Sequence, residues 1–478
     1  MESSRFHYYY WFQKVMSVFI DIFFMAVPLA SLYVLTSAFK GTLKFALFVL
    51  LIGVYAAVIY FFKDKVREFL SFVLRKIAEM DERRMIVVIS AVMVIIKIIA
   101  TLLFSYDATS GGDIKIYDDI ARQIIATGDI HSDAISHLYG LALHFVVFEL
   151  LGIPLHIGMF IVFYIGTIIN FLSFKDIIGK DKAFFIVLAY VLMPSSALIS
   201  FCTTHEVFVY MYVSLFLFFY NKLIHEDRMV SIIFYTLLCI LDTILTCFVN
   251  PGGYIIYIIM VLTVLLSNVP FKKKGFIVLI LLLSVLGSNR LSAYLNVNEH
   301  NTLINTYTIL IHGANPESLG EQIDGYPLRQ MRMWIYDHTL DFSDEGFEVA
   351  ANAVLIEDYV YLLKHPLTLI RLIVHKFYIL WSGVHYPLEL ANYYGAMDGA
   401  VYFGLLGINV LIYLFMLTAG LVFKGEKAYD ETDISNYKLE FLGVFGLTMF
   451  CIVVNKYSLY ATLFLYLISF YRAEVDNA

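Results

Sequence analysis

Long apolar runs separated by short polar turns make up most of the chain. An α-helix needs about 20 apolar residues to cross the hydrocarbon core of a bilayer. By that measure the pattern predicts twelve membrane helices, with boundaries good to a few residues. They lie at 15–37, 43–62, 85–105, 155–174, 183–201, 206–222, 229–247, 254–269, 275–293, 400–423, 439–455 and 457–472. The predicted fold class is an all-α polytopic membrane protein.

Two longer polar regions, 106–154 and 294–399, interrupt this pattern. In the first, "DIKIYDDIARQIIATGD" places its isoleucines mainly on one side of a helix, which predicts an amphipathic interfacial helix capped by Asp113. The apolar segment 137–152 is short for a crossing and predicts a second interfacial helix. In the second region, "PLTLIRLIVHKFYILW" predicts an interfacial or re-entrant helix that starts at Pro366 and is anchored near Trp381.

The composition agrees with a membrane protein. Of the 478 residues, 60% are hydrophobic and 15% are charged, whereas soluble domains are about half apolar and a quarter charged. No basic domain and no basic-aromatic strip occurs, so we expect no nucleic-acid partner. The 4 cysteines show neither metal-ligand spacing nor a disulfide framework.

The distribution of Lys and Arg predicts the orientation. If the N-terminus is cytoplasmic, the inner segments carry 21 of the 33 Lys and Arg residues, although the outer segments are much longer. Cytoplasmic loops are enriched in these residues. We therefore expect a multi-pass plasma-membrane protein with both termini cytoplasmic and both polar regions outside. An enzyme acting there needs an activated donor that has already crossed the membrane.

The chain divides into four parts on this interpretation. Residues 1–84 form two N-terminal helices and a basic cytoplasmic loop, and 85–293 form a transmembrane core that contains the first outer loop, 106–154. Residues 294–399 form a large extracytoplasmic loop, and 400–478 form the C-terminal membrane helices.

The order of these features resembles the GT-C membrane glycosyltransferases. An outward helix leads into a first outer loop in which an acid is followed by Tyr and Ala, as in Asp113, Tyr117 and Ala121. The similarity is greatest to bacterial relatives of the protein O-mannosyltransferases and of the aminoarabinose transferase that acts on lipid A. Further segments that resemble the family are "MPSSALISFCTTHEVFVYMYVSLFLFFY", "ILIHGANPESLG", "LLKHPLTLIRLIVHKFYILW" and "NKYSLYATLFLYLISF".

The chain also departs from the family pattern. Ile114 follows Asp113 where the family often has a second acid, and the Pro-rich start of the second interfacial helix is missing. Lys456 precedes Tyr457 where the family often has Arg-Tyr, and two additional helices precede the usual first helix. The resemblance therefore does not set the donor sugar or the acceptor.

The resemblance implies transfer of a sugar from a polyprenyl-phosphate donor to a protein, lipid or cell-envelope acceptor, with membrane lipids around the site. Asp113 would be the general base, because a carboxylate within hydrogen-bond reach can take the proton of the acceptor hydroxyl. Glu206 would assist it or help hold a divalent metal. Oxygen-ligated metals need several ligands, so two acids do not establish a metal site, and no other cofactor is expected.

Cations in the later segments are candidates for binding the donor phosphate, with Tyr117 as a further substrate contact. Arg371 and His375 are four residues apart and share a helix face. The predicted phosphate-binding set is Arg371, His375, Lys376 and Lys456, with Arg329 and Arg332 as weaker candidates that could instead bind an anionic acceptor. The alternative is that these side chains extend toward lipid headgroups.

Two ionisable residues fall inside predicted spans, Lys97 and Asp242. Charges within a membrane are costly and usually paired. The sequence therefore predicts a structural Lys97–Asp242 ion pair.

Other functions remain open on the sequence. A transporter or lipid flippase usually has polar residues and helix breaks in mid-membrane, whereas here polarity concentrates in the outer loops. An O-antigen polymerase or ligase would depend on outer-loop arginines, and a non-catalytic scaffold would leave the polar first loop unexplained.

Overall fold

The computed structural model describes residues 2–36, 39–103, 113–130, 139–199, 206–249, 255–266, 269–295, 347–381, 399–423, 437–438 and 458–472. Within these ranges all regular secondary structure is helical. In chain order the helices are α1 Glu2–Val34, α2 Gly41–Ala78, α3 Glu82–Leu103, α4 Asp113–Thr127, α5 Tyr139–Leu150, α6 Leu155–Ile178, α7 Lys180–Val191, α8 Pro194–Leu198, α9 Glu206–His225, α10 Met229–Val249, α11 Ile255–Leu266, α12 Phe271–Tyr294, α13 Phe347–Lys364, α14 Pro366–Trp381, α15 Gly399–Val422 and α16 Ser458–Arg472.

Eight of the described helices are long and apolar enough to cross a membrane. They are α1, α2, α3, α6, α9, α10, α12 and α15, and each coincides with one of the twelve predicted spans. The protein is thus an all-helical, multi-pass membrane protein. Helices α11 and α16 also lie at predicted spans but are shorter, and the predicted span 439–455 lies outside the described residues.

The predicted continuous helix at 183–201 is wrong, because the structure divides it into α7 and α8. Pro194 is the first residue of α8, and Met193 before it has extended backbone angles. A proline disfavours helical geometry in the preceding residue and cannot donate a backbone hydrogen bond. The break follows from these two effects.

Helix α2 continues well past its predicted membrane end at residue 62. Its last part carries Leu70, Leu74 and Ile77 at helical spacing, and these three side chains are buried. No Gly or Pro interrupts residues 63–78. The amphipathic extension is therefore stabilised by packing of its apolar side on the bundle.

Four turns meet at one end of the bundle, which we call the basic end: α2–α3, α6–α7, α9–α10 and α11–α12. Lys175 pairs with Glu82 at 2.6 Å, and Lys222 pairs with Asp176 at 2.8 Å. The Lys273 ammonium donates to the carbonyl of Ile224. These contacts connect turns that the charge pattern predicts on one side of the membrane.

The core lies where α6, α7, α9 and α16 meet. Every residue of α16 from 461 to 470 is buried, as expected of a helix that is apolar all round. Large aromatic rings fill the core: Tyr190 stacks on Tyr210 at 6.2 Å, and Phe174 contacts Phe464 edge-on at 6.5 Å. This packed core fixes the positions of the helix ends on which α4 and α5 lie.

Candidate functional site

Helices α4 and α5 pack against each other at the end of the bundle opposite the basic end. Ile124 of α4 and Leu295 after α12 belong to one buried cluster, which Phe248 near the end of α10 completes. At the start of α5, Gly140 lies so close to Phe248 that a Cβ atom there would collide with the Phe248 carbonyl oxygen. We call this region, formed by α4, α5 and the adjacent ends of α9, α10 and α12, the hairpin end.

The buried side of α4 is the one that the motif predicts. Tyr117 is 6% exposed and Ala121 is fully buried, and both belong to the main core. On the open side, Asp118 forms an ion pair with Arg122 at 2.8 Å. Helix α4 begins at Asp113, although the Asp113 side chain lies outside the described part of the structure. The apolar side of this amphipathic helix thus packs on protein.

Glu206 begins α9 at the hairpin end and is 1% exposed, with both carboxylate oxygens shielded from solvent. The other end of α9, at His225, lies at the basic end. Burial of a carboxylate is costly unless it is paired or protonated. Glu206 is thus buried at the start of its helix and is not an exposed turn residue.

A histidine that the sequence analysis did not select joins α5 to α9. His144 Nδ1 is 2.6 Å from the carbonyl oxygen of Gly140, and His144 Nε2 is 2.6 Å from the Tyr212 hydroxyl. The imidazole also contacts Phe208 edge-on at 4.7 Å. The sequence signal is the position of His144 within the apolar run "LALHFVVF", because ionisable residues in apolar segments usually serve a function.

The predicted cations of α14 do not converge on one face. Arg371 is exposed and His375 is half-buried, whereas Lys376 is only 4% exposed. Burial lowers the pKa of His375. The outward side of α14 carries Leu367, Ile370 and Val374, as a lipid-contacting surface would.

Trp381 ends α14 but is not the predicted interfacial anchor. It is fully buried and contacts Phe23 of α1 edge-on at 5.6 Å. Phe377 also lies against Phe23, at 5.2 Å. The end of α14 is thus held by aromatic packing on α1.

Helix α13 contributes a buried acid that the sequence analysis did not select. Asp358 is 0% exposed, and burial raises its pKa to about 8. Neutral aspartic acid therefore predominates at pH 7, because burial penalises the charged form.

The predicted Lys97–Asp242 ion pair is wrong. No such pair occurs among the described residues: Asp242 lies near Tyr212 and Cys239, whereas Lys97 lies near His156. Lys97 lines a small cavity together with Ser196 beside α8. Lys97 and Asp242 lie at similar depth in the membrane, but the rotations of α3 and α10 about their axes direct the two side chains toward different neighbours.

In the described ranges, no group of three or more His, Cys, Asp or Glu side chains could hold a metal ion. The predicted substrate contacts Arg329, Arg332 and Lys456 lie outside those ranges. A divalent metal therefore remains a prediction from the sequence, as do the roles of these three cations.

No protein-family model matches the sequence, and no curated protein matches it. Among solved structures, the chain is similar to ArnT from Cupriavidus metallidurans, whose crystal structure was determined bound to undecaprenyl phosphate. The two sequences are 12% identical, and the TM-score is 0.41. The similarity covers 82% of this chain and 60% of ArnT, so this chain spans about three-fifths of the length of that protein.

Proposed function

We propose that the protein is an integral-membrane glycosyltransferase of the GT-C type, which moves a sugar from a polyprenyl-phosphate donor to a hydroxyl acceptor outside the cell. The observation that carries the proposal is the position of two acids. Asp113 begins α4 and Glu206 begins α9, and both helices start at the hairpin end. The resemblance to the GT-C glycosyltransferases supports the proposal in the same region of the protein. Tyr117 and Ala121, which belong to the similar motif, are buried and pack α4 on the core.

In the proposed reaction, the acceptor oxygen bonds to the anomeric carbon of the sugar. The bond between that carbon and the phosphate oxygen breaks, and polyprenyl phosphate leaves with the electron pair. Asp113 receives the acceptor proton as general base, and the buried Glu206 orients the acceptor. Such proton transfer contributes about 10²–10⁴-fold to a rate.

The leaving phosphate needs positive charge near the membrane surface. Lys376 and Arg371 on α14 are our candidates, with Lys456 before α16. An arginine can bind phosphate through two parallel hydrogen bonds, whereas a lysine acts as a point charge. Lys376 is buried, so we assign to it the binding of the donor phosphate. Arg371 is exposed, so we assign to it the binding of an anionic group that approaches the site.

The test is transfer of radiolabelled sugar from polyprenyl-phosphate donors by Asp113→Asn in membranes. We expect a loss of about 100-fold or more, with unchanged expression and thermal stability. Asp119→Asn is the matched control, because Asp119 is exposed on the same helix and carries the same charge. Its transfer rate should remain close to that of the wild type.

Equal activity of Asp113→Asn and the wild type would mean that Asp113 acts as a helix cap and not as the general base. Glu206→Gln would then decide whether Glu206 is the base. If the wild type transfers no sugar from any polyprenyl-phosphate donor, the glycosyltransferase proposal is wrong.

A specific observation favours transport as the second candidate function. The break between α7 and α8 lies beside Lys97 and beside Ser195, whose hydroxyl donates to Asn409 Oδ1 at 2.7 Å. Counted along α7 from Lys180, the break is about 18 Å from the basic end. Broken helices with polar neighbours at such depth are typical of transporters. Movement of an unaltered lipid-linked sugar across proteoliposomes, without transfer, would favour this function.

A further inference from the structure

A membrane-facing groove lies between α1, α2 and α15. Its volume is about 310 Å³, and its walls are almost entirely aliphatic and aromatic. Val54, Val58 and Leu411 line it and are also about half exposed or more, so the groove opens to the outside of the bundle. One hydrogen bond crosses it, from Tyr55 of α2 to Thr418 of α15 at 2.7 Å.

Helix α2 leaves this groove because it makes little contact with the bundle within its membrane span. None of its most apolar 18-residue stretch is buried, and its buried residues begin at Leu70. Leu51, Ile52 and Tyr55 pack on the cluster that includes Leu414 of α15 but are only partly buried, and the Tyr55–Thr418 bond joins the two helices across the groove. A gap of this kind in hydrocarbon is filled by the surrounding lipid.

The groove is longer than the hydrocarbon of one leaflet, and one cation lines it. Lys63 follows Gly41, the first residue of α2, by about 33 Å of helix, close to the hydrocarbon thickness of about 30 Å. Lys63 therefore lies at headgroup level, and it lines the groove, whereas the neighbouring Asp64 does not. From Leu51 to Val66 the groove extends about 22 Å along α2, which compares with about 15 Å for the hydrocarbon of one leaflet, so it includes the level of the headgroups at Lys63.

We propose that this groove is a binding site for an anionic glycerophospholipid of the leaflet at the basic end. One acyl chain lies along Leu51, Tyr55 and Val58, and the phosphate meets the Lys63 ammonium. The site is independent of the proposed transferase reaction and lies on the two helices that precede the core. Bound lipid bridges α2 and α15 and so stabilises the N-terminal helices on the bundle.

Photo-crosslinking of the full-length protein tests the proposal. The probes are phosphatidylglycerol and phosphatidylethanolamine, each with a diazirine in one acyl chain, and labelled residues are mapped by mass spectrometry. We expect phosphatidylglycerol to label groove residues of α2 and α15. Lys63→Gln should lower that labelling about five-fold, because one lysine near an anionic surface contributes roughly that factor.

Two matched controls accompany these variants. Lys65→Gln removes the same charge two residues further along α2, but Lys65 does not line the groove, so labelling should persist. Val58→Trp fills the groove and should lower labelling by both lipids, whereas Val49→Trp, on an exposed position outside the groove, should not.

Several outcomes would overturn the proposal. An equal loss of labelling in Lys63→Gln and Lys65→Gln would show that Lys63 does not contact the headgroup. Equal labelling by both lipids would show that the groove does not prefer an anionic lipid. A photoactivatable polyprenyl phosphate that displaces phosphatidylglycerol would make the groove part of the donor site. Crosslinks between two copies through a Val54→Cys variant would make this face a contact between protomers.

Discussion

At the residue scale, the sequence predicts candidate functional residues but not the environment of each side chain. It predicts a functional acid at Asp113, where α4 begins, and another at Glu206, which is buried. It did not single out His144 or Asp358. For these two residues the sequence pattern did not reveal burial, and burial is what gives both residues their properties.

Asp358 leads to a prediction about pH dependence. The folded protein keeps a proton on this carboxyl up to about pH 8, whereas the unfolded chain releases it near pH 4. The contribution of Asp358 to the free energy of unfolding therefore falls as the pH rises between these values, by at most about 1.4 kcal/mol per pH unit. Thermal unfolding in detergent should show a steeper decline in Tm from pH 5 to pH 8 for the wild type than for Asp358→Asn.

Glu357→Gln is the control for this measurement, because Glu357 is the exposed acid next to Asp358. Its Tm should change with pH as that of the wild type does. Parallel pH profiles for Asp358→Asn and the wild type would mean that Asp358 is ionised in the folded protein.

At the scale of elements, the length of apolar runs predicted the long spans and the positions of α11 and α16, but not the break within 183–201. The eight long helices follow from runs of apolar residues. The division of α7 from α8 follows from Pro194, which the length of the apolar run concealed. The close contact between α5 and α10 is a property of two elements together and has no signature in either one.

The contact at Gly140 predicts a strong effect of a small substitution. Gly140→Ala places a methyl group where the Phe248 carbonyl lies, and backbone atoms cannot move aside as a side chain does. We expect a loss of about 1–3 kcal/mol of stability, measured as a lower Tm in detergent.

Gly275→Ala provides the comparison, because a Cβ at Gly275 in α12 meets nothing within 4 Å. That variant should be neutral or gain up to about 1 kcal/mol from helix propensity. A Gly140→Ala variant as stable as the wild type would show that α5 and α10 are further apart than the contact between Gly140 and Phe248 implies.

At the scale of the whole molecule, the clustering of the basic turns supports one orientation. Lys175, Lys222 and Lys273 make their ionic or carbonyl contacts with neighbouring turns at the basic end. By the positive-inside rule we expect this end to face the cytoplasm and the hairpin end with its acids to face outward.

Single cysteines placed in a cysteine-free variant would test this orientation. Asp227 lies at the basic end and is 96% exposed. The cysteine of Asp227→Cys should therefore react with a membrane-impermeant maleimide only after the cells have been broken open. Asp129→Cys lies just after α4, is also exposed, and should react in intact cells. Labelling of the two positions in the reverse order would place the hairpin end in the cytoplasm.

The sequence by itself determined the class of this protein, the positions of most spans and the segments in which chemistry is expected. Apolar run length and charge bias act locally along the chain, so they can be identified without a structure. Helix α4 also follows from local pattern, because the amphipathic period begins after the glycines at 111 and 112.

Only the tertiary structure decided which side chains meet. It separated Lys97 from Asp242, joined His144 to Tyr212, buried Trp381 against α1 and left a groove between α2 and α15. These outcomes depend on the rotation of each helix about its axis and on the neighbour it faces. Helix rotation is set by packing among elements distant in sequence, and equal depth in the membrane does not bring two residues together.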